Sequence, residues 1–297
     1  MNNDGELYSS HGHEQKVDVN YFLSTYWNLL KWKNNENVLD VGAATGDVTT
    51  EILLPRLPTD LKKIVGVDIE EDLVSFAKRK FKHVSKADFV VLDIASSTVP
   101  EQFYEHFGHI FSFNCLNWVP KERHEQAMRN IYDMLQPSGQ LFAAIVSNIA
   151  IYDIYENMAR ENKWQRFFTT VEDYVSIYHH SADPARKLVD FLKKVGFVID
   201  ACKIEDRTRT FPTLLYYKSE KKKSLLIQLT QRLSDWAKSV NPFVKYLPED
   251  QVYDYIEDFC KESRKHEIYT IEDDGKESIR LNYQILVACA SKPENIS

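Results

Sequence analysis

Short apolar runs alternate with amphipathic stretches over the first half of the chain. The apolar runs predict strands that begin at Val38 and cover 63–68, 88–93, 109–113 and 140–146, and the stretches with helical periodicity cover 48–54, 70–81 and 121–135. Strands that are connected through helices form right-handed crossovers in a mostly parallel sheet. The pattern therefore predicts an α/β fold.

The second half is less regular. Residues 148–180 are rich in aromatic side chains at helical spacing, and 183–195 form an amphipathic pattern that Gly196 ends. A sixth strand is predicted at 197–204, a helical insertion at roughly 224–265, and a last strand at 283–290. Seven strands with helices on both faces and an inserted helical cap are the architecture that we expect.

Composition narrows the class of protein. The chain has 297 residues and is 43% hydrophobic and 27% charged. Its formal net charge is −7, and it has no basic stripe. We therefore do not expect it to bind nucleic acid, because contacts with phosphates need clustered Lys and Arg. No apolar run reaches the ~20 residues that span a bilayer. Four dispersed cysteines without a CxxC pair predict neither a zinc site nor disulfides, and the polar N-terminus is unlike a signal peptide. These features are typical of a cytoplasmic enzyme.

A glycine-rich turn follows the first predicted strand. Gly42 and Gly46 bound it, and glycine lets backbone N–H groups approach a ligand closely. Such a turn occurs in NAD, FAD and S-adenosylmethionine enzymes alike. Asp68 ends the second strand 22 residues after Gly46, where its carboxylate can accept both ribose hydroxyls. Ala44, within the turn, avoids strain only if its φ is negative.

The acidic residues around the turn distinguish among these cofactors. Asp47 follows Gly46 directly and places an anion where a pyrophosphate would bind, so a sulfonium without phosphate fits better. Asp93 and Ile94 can meet the edge and face of an adenine, and Asp40 lies near a cationic amino-acid tail. Together these positions are the pattern of class I S-adenosylmethionine methyltransferases. The predicted cofactor residues are Asp40, Gly42, Ala43, Gly46, Asp68, Ile69, Asp93, Ile94 and Asn114.

Further motifs extend through most of the chain. They comprise 6–8 (ELY) with Gln15, Asp18 and Tyr21, then 111–118 (FSFNCLNW), Asn130, Pro137, 147–148, 163–164 and 240–243 (VNPF). In this order they resemble the insect juvenile hormone acid O-methyltransferases. The chain departs from that family's usual pattern at Asn114 in place of Tyr, at Asn117 in place of His, and at His11 and His13.

The resemblance implies a single Rossmann-like class I methyltransferase domain over 1–297. Its parts would be N-terminal substrate helices (1–35), a cofactor-binding half (36–147), helical caps over the substrate (148–182 and 207–280) and the last strand (283–291). It also implies that Gln15 and Trp118 hold a substrate carboxylate. The substrate residues that we expect are Tyr8, His11, Gln15, Trp118, Trp164 and Tyr178.

Two acceptors remain open. A hydrophobic acid, by resemblance a farnesoic or juvenile hormone acid, is ionised at pH 7 and needs no general base. A small phenol has a pKa near ~10 and needs one. His11 is the candidate base, and His179 and His180 are weaker ones. A third hypothesis is a cofactor-binding pseudoenzyme. We expect no metal, because no Asp–Asn metal cluster appears, and either a monomer or a homodimer.

Overall fold

A mixed β-sheet forms the centre of the computed structural model, which describes residues 5–6, 9, 13–168, 170–211, 241–266, 268–271 and 277–294. The strands are β1 (Asn37–Val41), β2 (Lys63–Asp68), β3 (Ala87–Val91), β4 (Phe107–Phe113), β5 (Leu135–Ile149), β6 (Val198–Phe211), β7 (Tyr269–Ile271) and β8 (Glu277–Ser291). Seven of them follow the order β3-β2-β1-β4-β5-β8-β6, and the short β7 pairs with β8. Strands β1 to β5 pair in parallel, whereas β8 is antiparallel to β5 and β6. The predicted sheet of seven mostly parallel strands is confirmed.

Helices cover both faces of this sheet, as the sequence predicts. The α-helices in the described ranges are α1 (His13–Tyr26), α2 (Glu71–Lys80), α3 (Lys121–Met134), α4 (Ala150–Arg160), α5 (Pro184–Val195) and α6 (Glu249–Ser263), and a π-helix covers Val48–Leu53. Single 3₁₀ turns lie at Trp27–Leu29, Leu54–Arg56, Glu101–Phe103, Leu116–Trp118, Gln165–Phe167, Val171–Tyr174, Val244–Tyr246 and Arg264–His266. None of these helices is long and apolar enough to cross a membrane.

Successive side chains of the central strands pack into two hydrophobic cores, one on each face of the sheet. On β4, Phe111 packs into the core that contains α1, α4 and α6, while Ile110 packs into the core beneath α3 and α5. Both side chains are fully buried, because a strand directs successive side chains to opposite faces. The sheet is therefore sandwiched between two hydrophobic cores.

Local signals set the ends of α5 as expected. The Asp183 carboxylate accepts a hydrogen bond of 2.9 Å from the Arg186 N–H, Pro184 occupies the first turn, and Gly196 ends the helix at a φ of +121°. Strand β5 is longer than predicted. It begins at Leu135 instead of 140, and in the added stretch its pairing with β4 shifts register and Ser138 adopts a φ of +61°. Residues 224–240 of the predicted insertion lie outside the described residues.

Candidate functional site

The turn after β1 needs glycine at both ends. Gly42 and Gly46 have φ values of +81° and +77°. A Cβ on Gly42 would lie 2.3 Å from Cβ of Cys115, and one on Gly46 would lie 2.6 Å from the ring of Phe89. Backbone conformation and space both require glycine here. Ala44, in contrast, has a φ of +45°, so it does not meet the condition for a strain-free alanine.

Asp68 ties this turn to the end of β2. Its carboxylate accepts hydrogen bonds from the N–H groups of Ala44 at 2.9 Å and Glu70 at 3.0 Å. Burial raises the pKa of Asp68, and the two backbone hydrogen bonds partly oppose that rise. Its neighbour Ile69 is 57% exposed and lies at the mouth of the site.

Asp40 lies deeper, at the end of β1. Its carboxylate accepts a 2.6 Å hydrogen bond from the Thr49 hydroxyl. Burial raises the pKa of Asp40 to about 7, and the negative charge of Asp68 adds to that rise while the Thr49 hydrogen bond opposes it. A carboxyl group that titrates near neutral pH therefore lies beneath the glycine turn.

Asp93 occupies the loop after β3. One of its oxygens accepts a 2.9 Å hydrogen bond from the Ala95 N–H, and the other is paired with the Arg123 guanidinium. The same guanidinium donates to the Ala95 carbonyl at 2.9 Å. Sequence reasoning missed Arg123, because it lies on α3, 30 residues from Asp93. It closes one side of the region where an adenine edge is expected.

Two adjoining clefts open along these strand ends. With the solvent space at their openings included, the larger cleft has a volume of ≈ 1030 Å³ and the smaller one a volume of ≈ 490 Å³. Gly42, Ala44, Phe113 and Asn114 line both clefts. Ligand sites commonly enclose ~300–1,000 Å³. The size and position suit an extended small molecule that lies across the ends of β1, β2 and β4.

The predicted cofactor residues divide between the clefts. Gly42, Asp68, Ile69, Asp93, Ile94 and Asn114 line the larger one, and Asp40, Gly42, Ala43 and Asn114 line the smaller one. Gly46 lines neither, and its N–H donates to the Ala43 carbonyl at 2.8 Å to close the turn. Asn114 has a φ of +52°, and its Oδ1 is buried without a hydrogen-bond partner among the described residues.

Asp47 has partners that the sequence did not predict. Its carboxylate accepts a 2.6 Å hydrogen bond from Thr45 and forms ion pairs with Lys80 and, at 3.5 Å, with Lys16. Burial would raise the pKa of Asp47, but these contacts outweigh it and lower the pKa. Lys16 belongs to α1 next to Gln15, so this pair fixes the N-terminal helix against the glycine turn.

The substrate residues expected from the family resemblance do not all meet at the clefts. Gln15 lines the smaller cleft and Trp118 the larger one. Tyr174 and Pro242, from the cap, also line the larger cleft, although they were not singled out as site residues. Tyr8 and His11 lie outside the described residues, as does the side chain of His13.

Trp164 and Tyr178 are buried away from both clefts. Trp164 is 0% exposed, donates its indole N–H to Asp258 at 3.2 Å and packs edge-to-face against Tyr255. The Tyr178 hydroxyl is hydrogen-bonded to Nε2 of His124 at 2.8 Å. Complete burial with satisfied polar groups is the environment of a core residue. This placement favours a structural role for both side chains over substrate contact.

No histidine in the described part of the chain lines either cleft. His179 and His180, the weaker candidates for a general base, instead face Asp153 and Glu156 on α4. Burial lowers the pKa of His124 to about 4, so this residue is neutral and structural. Of the proposed bases, only His11 is left without a described position.

Comparison with known proteins agrees with this geometry. Residues 38–139 match the family model described as a methyltransferase domain. The chain is 28% identical to the juvenile hormone acid O-methyltransferase of Drosophila melanogaster, over 99% of this chain and 94% of that protein, and 28% identical to that of Bombyx mori, over 98% of each. A solved putative methyltransferase from Bacillus halodurans shares the fold, with a TM-score of 0.51, 17% identity, and coverage of 91% of this chain and 98% of that one.

Proposed function

We propose that this chain methylates the carboxylate of a small hydrophobic acid, such as a sesquiterpenoid acid. The chain belongs to the S-adenosylmethionine-dependent O-methyltransferases and is a divergent relative of the juvenile hormone acid O-methyltransferases. The observation that carries the choice of acceptor is that Gln15 and Trp118, whose side-chain N–H groups can hold a carboxylate, line adjoining clefts, with Tyr174 and Pro242 on the same cleft as Trp118. An acid acceptor needs an apolar enclosure and a polar anchor, and it needs no base.

The deep end of the two clefts fits a cationic amino-acid group. The Oδ1 of Asn114 is buried without a partner among the described residues, and an ammonium group bound here would supply the hydrogen-bond donor. Asp40 lines the same smaller cleft and can neutralise an ammonium when it is ionised. We therefore assign the methionine part of the cofactor to this end.

The nucleoside part then belongs to the larger cleft. Asp68 would accept from ribose hydroxyls, while Asp93 and Ile94 would contact the edge and face of the adenine. S-adenosylmethionine supplies an electrophilic methyl group on a good leaving group. The protein residues therefore have to align the acceptor oxygen and exclude water, and both effects come from positioning.

Gln15 and Trp118 are our candidates for that alignment. They line different clefts, but these clefts share the wall formed by Phe113 and Asn114. An amide N–H and an indole N–H can both donate to a carboxylate without protonating it. Tyr174 and Pro242 would then cover the apolar part of the acceptor.

The test is a methyl-transfer assay with saturating cofactor against terpenoid acids and small phenols of similar size. We expect esters from the acids only. Trp118→Phe keeps the aromatic ring but removes the N–H, so kcat/KM for acids should fall about 10- to 100-fold, the equivalent of a hydrogen bond to a charged group at ~1.5–3 kcal/mol. Trp27→Phe, outside both clefts, is the matched control.

Two other results would replace this proposal. Turnover of phenols that depends on pH between 6 and 7 and is lost in His11→Ala would identify a phenol methyltransferase with a histidine base. Cofactor binding in a calorimeter without turnover of either panel would indicate a non-catalytic binding protein.

A further inference from the structure

Two adjacent histidines meet a carboxylate behind the wall that carries Trp118. Nε2 of His179 is 3.2 Å from Oδ1 of Asp153, and the rings of His179 and His180 lie 3.9 Å apart. One potential ligand atom from each of the three side chains lies within 4.8 Å of the other two. We propose that Asp153, His179 and His180 bind a divalent transition-metal ion, and that Zn²⁺ is the ion whose preferences they match.

The backbone brings the two rings onto the same side. Consecutive residues in an extended segment would direct their side chains in opposite directions. His180 instead adopts a φ of +58°, a left-handed conformation that costs a non-glycine residue free energy. A metal ion bound by both imidazoles would offset that cost.

The donor set and its spacing suit zinc. Imidazole nitrogen and carboxylate oxygen bind Zn²⁺ at ~2.0–2.2 Å, which places neighbouring ligands of a tetrahedral ion about 3.4 Å apart. The 3.2 Å between His179 and Asp153 is already close to that spacing. Glu156, one turn further along α4, lies with Oε2 at 3.1 Å from Nε2 of His180 and adds a second carboxylate beside the site.

The His179 ring is held in place by its neighbours. Its Nδ1 is buried without a partner among the described residues. The ring is oriented instead by packing against Tyr152, with centroids 5.3 Å apart, and against His180.

The site has an entrance and lies next to the acceptor wall. The His180 side chain is 59% exposed, and Asp153 lines a third, open cavity of ≈ 850 Å³. Tyr152 contacts both His179 and, at 6.5 Å between ring centroids, Trp118. A bound ion would thus fix the segment around His179 against α4 directly behind Trp118. This departs from the expectation of no metal, at a position outside both clefts of the proposed reaction.

The test is calorimetric titration of ZnCl₂ into the full-length, chelator-treated protein, with Co²⁺ absorption as an independent report of coordination. We expect one ion per chain, bound in the micromolar range. His180→Ala and Asp153→Asn should each weaken binding at least about tenfold. Both side chains are partly or largely exposed, so these variants should fold, and far-ultraviolet circular dichroism checks this. His83→Ala removes an exposed histidine elsewhere and should bind like the wild type.

Absence of saturable Zn²⁺ binding in the wild type would overturn the proposal. Equal affinity in the wild type and in both site variants would also overturn it, because the ion would then bind elsewhere. Neither result depends on methyl transfer, so failure here is distinguishable from failure of the proposed function.

Discussion

Two non-glycine residues that line both clefts have a left-handed backbone conformation. Asn114 has a φ of +52° and Ala44 a φ of +45°. Asparagine tolerates this region better than most residues, which gives a physical reason for Asn114 after β4. Alanine has no polar side chain to compensate, so Ala44 stores strain in a turn that lines both clefts.

Replacing Ala44 by glycine should therefore stabilise the protein. Relief of the left-handed strain should raise the free energy of unfolding by ~1–2 kcal/mol. The greater conformational freedom of glycine in the unfolded chain should lower it by ~0.4–1 kcal/mol. We expect Ala44→Gly to raise the free energy of unfolding by up to about 1.6 kcal/mol in urea titrations. Ala43→Gly is the matched control, because Ala43 has no positive φ, and it should destabilise. A loss of stability in Ala44→Gly would contradict the strain.

Asp40 should make cofactor binding depend on pH. The raised pKa of about 7 means that free Asp40 is mostly protonated at pH 6 and mostly ionised at pH 8. A cationic cofactor prefers the ionised form, so its Kd should increase about tenfold from pH 8 to pH 6. Calorimetry over this range measures the effect. Asp40→Asn retains any titration of the cofactor itself, and an unchanged pH dependence in that variant would exclude Asp40 as the cause.

At the scale of elements, buried charges hold the N-terminal helix α1 on the sheet. Asp18 is 2% exposed, and its carboxylate lies 3.0 Å from Arg207 on β6 and 3.0 Å from Arg209 on the same strand. The Tyr283 hydroxyl on β8 donates to it as well. Because α1 also carries Gln15, this network sets where the proposed acceptor anchor lies.

Asp18→Ala should destabilise the protein strongly. It leaves the buried guanidinium of Arg209 without its carboxylate, and breaking a buried pair costs ~3–5 kcal/mol. Urea unfolding measures the loss. The control is Lys16, which lies on α1 like Asp18 but pairs with the exposed Glu51. Glu51→Ala removes this partner and should lower the free energy of unfolding by less than ~1 kcal/mol. Similar losses in the two variants would show that burial of the Asp18 network does not matter.

Replacing Trp164 in the cap and Trp118 in the larger cleft by alanine should affect different properties of the protein. Trp164 is fully buried, so Trp164→Ala should lower the free energy of unfolding by ~3–5 kcal/mol and reduce cofactor and acceptor binding together. Trp118 lines the larger cleft, so Trp118→Ala should mainly raise the acceptor KM. Thermal unfolding and steady-state kinetics separate the two. An acceptor-specific KM effect in Trp164→Ala would restore it as a substrate residue.

The elements were predictable from sequence, and the pairings within the site were not. Continuous apolar runs locate β1 to β5, because these strands are buried on both faces. Gly42 and Gly46 mark the turn after β1. Aromatic spacing cannot distinguish a core side chain such as Trp164 from a cleft side chain. The partners of Asp47, Lys16 and Lys80, are 31 and 33 residues away, so no local pattern contains them.

At the scale of the whole molecule, three separate parts of the chain meet at one edge of the sheet. Gln15 comes from the N-terminal helix, Trp118 from the turn after β4, and Pro242 from the cap. The parallel strands β1 to β4 direct their carboxyl ends to this edge, where the proposed cofactor residues lie. An acceptor that enters here would lie against apolar surface, close to Gln15 and Trp118.

An acceptor that carries both a carboxylate and a phenol tests the proposed chemistry most directly. A hydrophobic 4-hydroxyphenyl alkanoic acid, incubated with methyl-labelled S-adenosylmethionine at pH 7.5, offers both oxygens to the same cleft. Mild alkali cleaves a methyl ester but leaves a methyl aryl ether intact. We expect the label to be released as methanol, because the carboxylate is already ionised and the phenol is not. Label that remains in an alkali-stable ether would contradict carboxylate methylation.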